Sequence, residues 1–141
     1  MPSGYRFVGG PYEIGEDTKV TADTIARGDA LKHSSGQLTV LTAGTKNMGV
    51  STGANAGTAG TIQYLRCYPD RTKFQATVKA NSLAAADMHQ YLPMSGLTGA
   101  MGVDATPTAG GDWFLYAVLV TGTAGECIVL PADPGQLNAV E

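Results

Sequence analysis

The stretch TIQYLRCYPDRTKFQATVK, Thr61 to Lys79, decides how the chain is read. From Thr72 the alternation is regular: Thr72, Phe74, Ala76 and Val78 fall on one face, and Lys73, Gln75, Thr77 and Lys79 on the other. β-Branched and aromatic residues at a period of two predict a half-buried strand. Upstream, Ile62, Tyr64 and Tyr68 share a side with Arg66, while Leu65 and Cys67 lie opposite, which predicts a second strand with less uniform faces. Pro69-Asp70 between them has turn chemistry, because proline presets φ and aspartate bonds its own backbone. The expectation is a hairpin. Its second strand is core scaffold, and its first, Thr61 to Tyr68, is placed to touch another subunit as well.

Further strands follow on both sides. Gln37 to Thr42 puts Leu38 and Val40 on one face, Asn47 to Ser51 is a short strand, and Val20, Ala22 and Ile25 form an edge strand before a Gly28-Asp29 turn. Thr52 to Gly60, TGANAGTAG, is a loop without the glycine spacing or the Gly-Lys-Ser/Thr of a phosphate cradle. Asn81 or Ser82 can cap one helical turn over Leu83 to Asp87, followed by a strand over His89 to Met94. Trp113 to Thr121 is the most apolar strand, with Trp113, Leu115 and Leu119 on one face and Phe114, Tyr116, Val118 and Val120 on the other. A strand apolar on both faces is central, or buries its outer face in a subunit contact. After a TGTAG turn, Glu126 to Leu130 pairs back as the last strand. The fold class expected is all-β: a small antiparallel β-barrel or sandwich with long Gly-rich loops and at most one short helix. With 141 residues the chain fits one such domain, and its 19 glycines and 15% charged residues suit a turn-rich β-protein.

Three spans are expected: an N-terminal arm over 1–19, a β-barrel domain over 20–130 and a proline-broken tail over 131–141. In the arm, Tyr5, Phe7 and Tyr12 are separated by Gly9, Gly10 and Pro11 and follow no sustained period. Disordered tails usually lack such aromatics. Tyr5, Phe7 and Tyr12 are therefore the candidate partner-binding residues, docking on a neighbouring subunit.

Composition also argues against several function classes. A net charge of −3 gives no basic footprint for nucleic acid. No apolar run approaches the ~20 residues of a membrane helix, and MPSGYRFVGG lacks the pattern of a signal peptide, so folding in a cytoplasm is expected. Cys67 and Cys127 lie in separate apolar strands. A disulfide is open to them if those strands are neighbours, but two buried thiols are the favoured reading. His33 and His89 are far apart, and Asp87-x-His89 falls short of the three or four ligands that zinc takes. There is no G-x-S-x-G elbow, and Asp70, Asp104 and Asp112 look like turn residues. No catalytic residue, metal, cofactor or small-molecule substrate is expected, and the chain is not expected to be an enzyme. Arg27-Gly28-Asp29 spells the integrin-binding tripeptide, for which ordinary turn chemistry is the better account.

Thr24 to Thr42, TIARGDALKHSSGQLTVLT, resembles the opening of the small β-barrel decoration (cement) proteins of tailed-bacteriophage capsids. The matching residues are Ile25, Gly28, Asp29, Leu31, Gly36, Leu38 and Val40. The later layout is also similar: a strand carrying Phe74-Gln75-Ala76, an Ala-rich turn with Asp87, a Gly-rich segment and a strand WFLYAVLV led by Gly-Asp. The likeness covers about two thirds of the chain and omits the first twenty residues and the tail, both of which depart from the family's compact core. It implies a structural virion protein on the capsid exterior. Such a protein is a homotrimer, binds the major capsid protein across subunit contacts and stabilises the shell. The alternative expectation is a receptor- or carbohydrate-binding β-module of a phage head fibre or tail.

Overall fold

The computed structural model describes residues 4–18, 24–34, 36–42, 47, 49–56, 60–68, 71–108 and 111–132, with the backbone alone at 17, 18, 34, 55, 56 and 67. The strands are β1 (Arg6–Gly9), β2 (Tyr12–Thr18), β3 (Thr24–Ile25), β4 (Ala30–Ser34), β5 (Gln37–Val40), β6 (Gly49–Ser51) and β7 (Asn55–Ala56). They continue as β8 (Thr61–Cys67), β9 (Lys73–Ala80), β10 (Tyr91–Leu92), β11 (Met94–Ser95), β12 (Gly102–Asp104), β13 (Trp113–Val120) and β14 (Glu126–Pro131). One 3-10 turn, Ala85–Asp87, is the sole helical element among the described residues. The chain is all-β, as its alternating apolar pattern predicts.

Two sheets carry the fold. The larger has the order β10-β13-β14-β9-β12-β11, with β1 also on β9. Because β14 occupies one edge of β9, β1 and β12 divide the other: β1 pairs with Lys73 to Gln75, and β12 with Val78 and Ala80. The β12–β9 pair is parallel, a departure from the antiparallel barrel expected. The 81–101 connection is long enough to bring the chain back in the same direction. The second sheet, β2-β8-β6-β4-β5, curls until its outer strands β2 and β5 approach each other, giving a nearly closed barrel. A small β3–β7 pair stands beside it.

The Thr61 to Lys79 hairpin does not form. β8 belongs to the curled sheet and β9 to the large one. Both pair instead with the N-terminal strands: β2 runs along β8 from Tyr12↔Cys67 to Thr18↔Thr61, and β1 runs along β9 through Arg6↔Gln75 and Phe7↔Phe74. The span read as an arm and the span read as a hairpin are thus one long antiparallel ribbon that bends from one sheet into the other. The bend is built on both strands. Gly10 has φ +93°, and a Cβ there would lie 2.3 Å from the Arg71 carbonyl oxygen. Opposite it, the buried Thr72 hydroxyl donates to Pro11 O at 2.5 Å and accepts from the Tyr68 N–H at 2.8 Å. Turn chemistry serves a sheet-switching corner as well as a hairpin, so the local signal alone could not separate them. Pro69-Asp70, the turn at Ala43 to Lys46 and the tail from 133 to 141 lie outside the described residues.

Two cores result. The larger gathers Phe74, Ala76, Val78, Trp113, Leu115, Cys127 and Val129 with Tyr5, Leu41, Leu92, Met101 and Val103. At its centre the Trp113 ring lies 4.4 Å from Tyr5 and 5.8 Å from Phe74, centroid to centroid. The smaller core, inside the curled sheet, is Ile25, Leu31, Leu38, Ile62 and Tyr64. Gly15, paired with Tyr64 across β2 and β8, makes room for the Tyr64 ring, since a Cβ there would sit 2.7 Å from Tyr64 Cζ.

Candidate interaction surfaces

β13 begins as a core strand and ends as a surface. Trp113 and Leu115 are buried, but the register slips between Leu115 and Ala117 and again between Val118 and Val120. A bulge turns the following side chains to the other face. Val118 therefore packs on the core, while Tyr116, Leu119 and Val120 are 43%, 53% and 48% exposed. Strict alternation places Leu119 on the face of Trp113 and Leu115, which the structure shows buried. The neighbouring chain changes course at the same place. Residues 83–92 run antiparallel to 113–122, bonded at Leu83 with Gly122 and again from His89 to Leu92, but the 3-10 turn between them arches away. Among the described residues, no strand pairs with the outer edge of β13 from Tyr116 to Val120.

The outer face of this sheet also carries an aromatic group. His89 stacks on Phe114 with ring centroids 5.8 Å apart, Tyr91 meets Phe114 edge-on at 5.5 Å, and Lys73 Nζ lies 4.6 Å over the Tyr116 ring. Met88, 39% exposed, extends the apolar surface on the arch.

Along the ribbon Val8, Tyr12, Ile14 and Tyr68 are also exposed, with Tyr12 and Ile14 on one face of β2. Here the three expected anchors separate. Tyr5 lies in the chain's own core, its hydroxyl donating to Gly102 O, and burial pushes the phenol well above its ordinary value. It is not available to a partner. Phe7 is half-buried, edge-on to Phe74 at 6.1 Å and to Tyr12 at 5.1 Å. Tyr12, half exposed, is the anchor that reaches the surface. The Tyr68 phenol is raised from its ordinary value, first by its hydrogen bond with Glu13 and then by desolvation.

The other singled-out residues have structural places. Asp29, the acid of Arg27-Gly28-Asp29, is fully buried. Its carboxylate accepts from Ala26 N (2.9 Å), Gly99 N (2.9 Å) and the Thr98 hydroxyl, so it cannot be offered to an integrin. Asp87 caps the 3-10 turn by accepting from Ala84 N at 2.9 Å. Buried Asp112 accepts from Met94 N at 2.9 Å, and Asp104, held by Asn81 and the Thr106 N–H, has its carboxyl lowered. Among the described residues no three His, Cys, Asp or Glu gather as a metal site, and no helix is long and apolar enough to cross a membrane. Cys127 is a free, buried thiol 3.7 Å from Ala76 O, pushed up to about 12 chiefly by burial. The Cys67 side chain lies outside the described residues.

Hollows also lie on the surface of the described residues. One of about 390 Å³ lies between β1, the Arg27-Gly28 turn and β6. Another, of about 510 Å³, is floored by Val40, Leu41, Met94 and Met101 and bordered by Leu97, which is 82% exposed. Sequence reasoning passed over Leu97 as part of a Gly-rich segment. A lone leucine between Gly96 and Gly99 was the signal available. No family model matches this sequence, and no curated protein matches it.

Proposed function

We propose that this chain is a structural virion protein that binds the outside of an assembled phage capsid, as a homotrimer, and stabilises contacts between major capsid subunits. The observation that carries this reading is that exposed apolar side chains occur in two separate regions, one along β13 and one along the ribbon at Val8, Tyr12, Ile14 and Tyr68. A protein that clamps neighbouring subunits needs more than one contact surface, and simultaneous contacts raise avidity without any single strong one. The likeness of Thr24 to Thr42 to capsid decoration proteins and the all-β fold agree with it. The test is co-sedimentation with empty capsids, with images of particles carrying and lacking the chain. Binding that weakens in Tyr12→Ser and Leu119→Asp supports the reading; a folded chain that binds no shell removes it.

The aromatic group His89, Tyr91, Phe114 and Tyr116 favours a second reading, a carbohydrate-binding module, because sugars stack on exposed rings. It predicts glycan-array binding that Tyr116→Ala abolishes. An array without signal ends this alternative.

A further inference from the structure

The rings on the outer face of the large sheet are accompanied by a strained backbone and by a cation. His89 has φ +68°, a left-handed conformation that non-glycine residues rarely adopt. Its N–H donates to Leu115 O at 2.8 Å, and its exposed imidazole lies on Phe114, 5° from parallel. Leu115 N–H donates to Gln90 O at 2.9 Å, and Tyr91 then pairs with Phe114, so the same short stretch brings a second ring to β13. Residues held in such conformations are costly and gather at ligand sites.

The cation is Lys73. From β9 it reaches across β14 to β13, where its Nζ lies 4.6 Å over the ring of Tyr116, itself 43% exposed. Among the described residues no carboxylate pairs with this ammonium. Glu126, on the intervening strand, accepts instead from Gln75 Nε2 at 2.7 Å, and Gln75 is bonded in turn by Arg6. Asp87, two residues before His89, is turned onto Ala84 N. A positive charge is thus fixed beside exposed rings without an acid to neutralise it.

We infer that this platform binds a saccharide bearing a carboxylate, with the sugar ring against Tyr116 and His89 and the carboxylate on Lys73 Nζ. This ligand class rests on the carbohydrate reading given above and narrows it. The rings take the C–H face of a sugar, and a single uncompensated ammonium among them matches one negative group. A nucleic acid also stacks on rings, but it brings a phosphate with every base and calls for a groove of cations; this site offers one. The net charge of −3 does not decide the matter at this range, because charges beyond about 8 Å are largely screened at physiological salt. Contact with the ring already holds the lysine in place, so little of its freedom is left to lose when a carboxylate arrives.

The experiment is a glycan array with the full chain, followed by titration of the sugars that bind. The array carries neutral oligosaccharides, counterparts ending in a uronic or a sialic acid, and the methyl esters of those acids, which keep the shape and lose the charge. Wild type is expected to bind the acids about three- to tenfold more tightly than their esters, as one exposed charge-assisted contact provides, and the margin should shrink as salt rises. Lys73→Gln should bind acid and ester alike, and Lys73→Arg should restore the preference. An unchanged thermal midpoint in Lys73→Gln separates a lost contact from a lost fold. Equal binding of acid and ester by wild type, or a preference that persists in Lys73→Gln, overturns the inference and leaves the carbohydrate reading standing. An array without signal for any sugar removes both.

Discussion

The two sheets solve the same packing problem with different materials. The large sheet closes over interlocking rings, Trp113 between Tyr5 and Phe74, with Leu115, Val129 and Cys127 around them. The curled sheet closes over five side chains, and one of them, Tyr64, fits only because Gly15 has no side chain. The first core is tight through the volume of what fills it. The second is tight through what has been left out. They are joined by the bent ribbon, so the difference between them is one of local tolerance and not of independence.

That view can be broken most directly at the ribbon. Removing Met1 to Glu16 deletes β1, most of β2 and Tyr5, and both sheets are expected to unfold, as loss of amide dispersion in an NMR spectrum would show. A truncated chain that kept either sheet would refute their mutual dependence. Next, Trp113→Ala should cost about 3–5 kcal/mol in urea denaturation, while Leu38→Ala in the small core should fall toward the lower end of the ~2–5 range for buried aliphatics. Equal losses would mean that the two cores are alike. Gly15→Ala should destabilise by about 1–3 kcal/mol through overpacking against the Tyr64 ring. Tyr64→Leu, which withdraws that ring, should be less harmful in the Gly15→Ala background than in wild type.

Smaller effects report on the large sheet alone. The Cys127 thiol ionises near 9.0 when the chain is unfolded and near 12 when folded. The folded state therefore favours the protonated thiol, a contribution complete below pH 9 that is lost as pH rises toward 12. Urea midpoints measured across that window should fall more steeply in wild type than in Cys127→Ala. Parallel slopes would count against a buried, protonated thiol. Least of all, Lys73→Gln removes the cation over Tyr116 and should cost under about 1 kcal/mol, visible as a shift of the Tyr116 ring resonances with little change in midpoint.

Much of the strand content was legible in the sequence, because alternation states which side of a strand faces inward. Phe74, Ala76 and Val78 are buried as the period requires, whereas on the other face Lys73, Gln75 and Thr77 are half-buried and only Lys79 is exposed. The pair Trp113 to Val120 and Glu126 to Leu130 also meets as expected. What alternation cannot state is the partner. Thr61 to Cys67 was recognisable as a strand, but that it would lie beside Tyr12 to Thr18 depends on apolar faces meeting across more than forty residues. Bulges are hidden for a related reason. Nothing in WFLYAVLV marks the slips that expose Leu119 and turn the half-buried Val118 onto the core. Of the three expected anchors, Tyr12 is the exposed one, an aromatic that stands out in a glycine-rich stretch. Tyr5 was assigned to a partner because its true partner, Trp113, is more than a hundred positions away.

The bent ribbon also bears on how quickly the chain can fold. Its nearest rung joins Thr18 to Thr61, and its far end joins Arg6 to Gln75, 69 positions apart. No short hairpin nucleates it, so the chain must close a long loop before the first of these rungs forms, and each sheet waits on that closure. Proteins dominated by such distant pairings fold in roughly milliseconds to seconds. During that interval the strip of β13 and the unpaired strand edges are open to neighbouring chains, so crowded synthesis rather than the finished fold is where this protein is most exposed to misassembly.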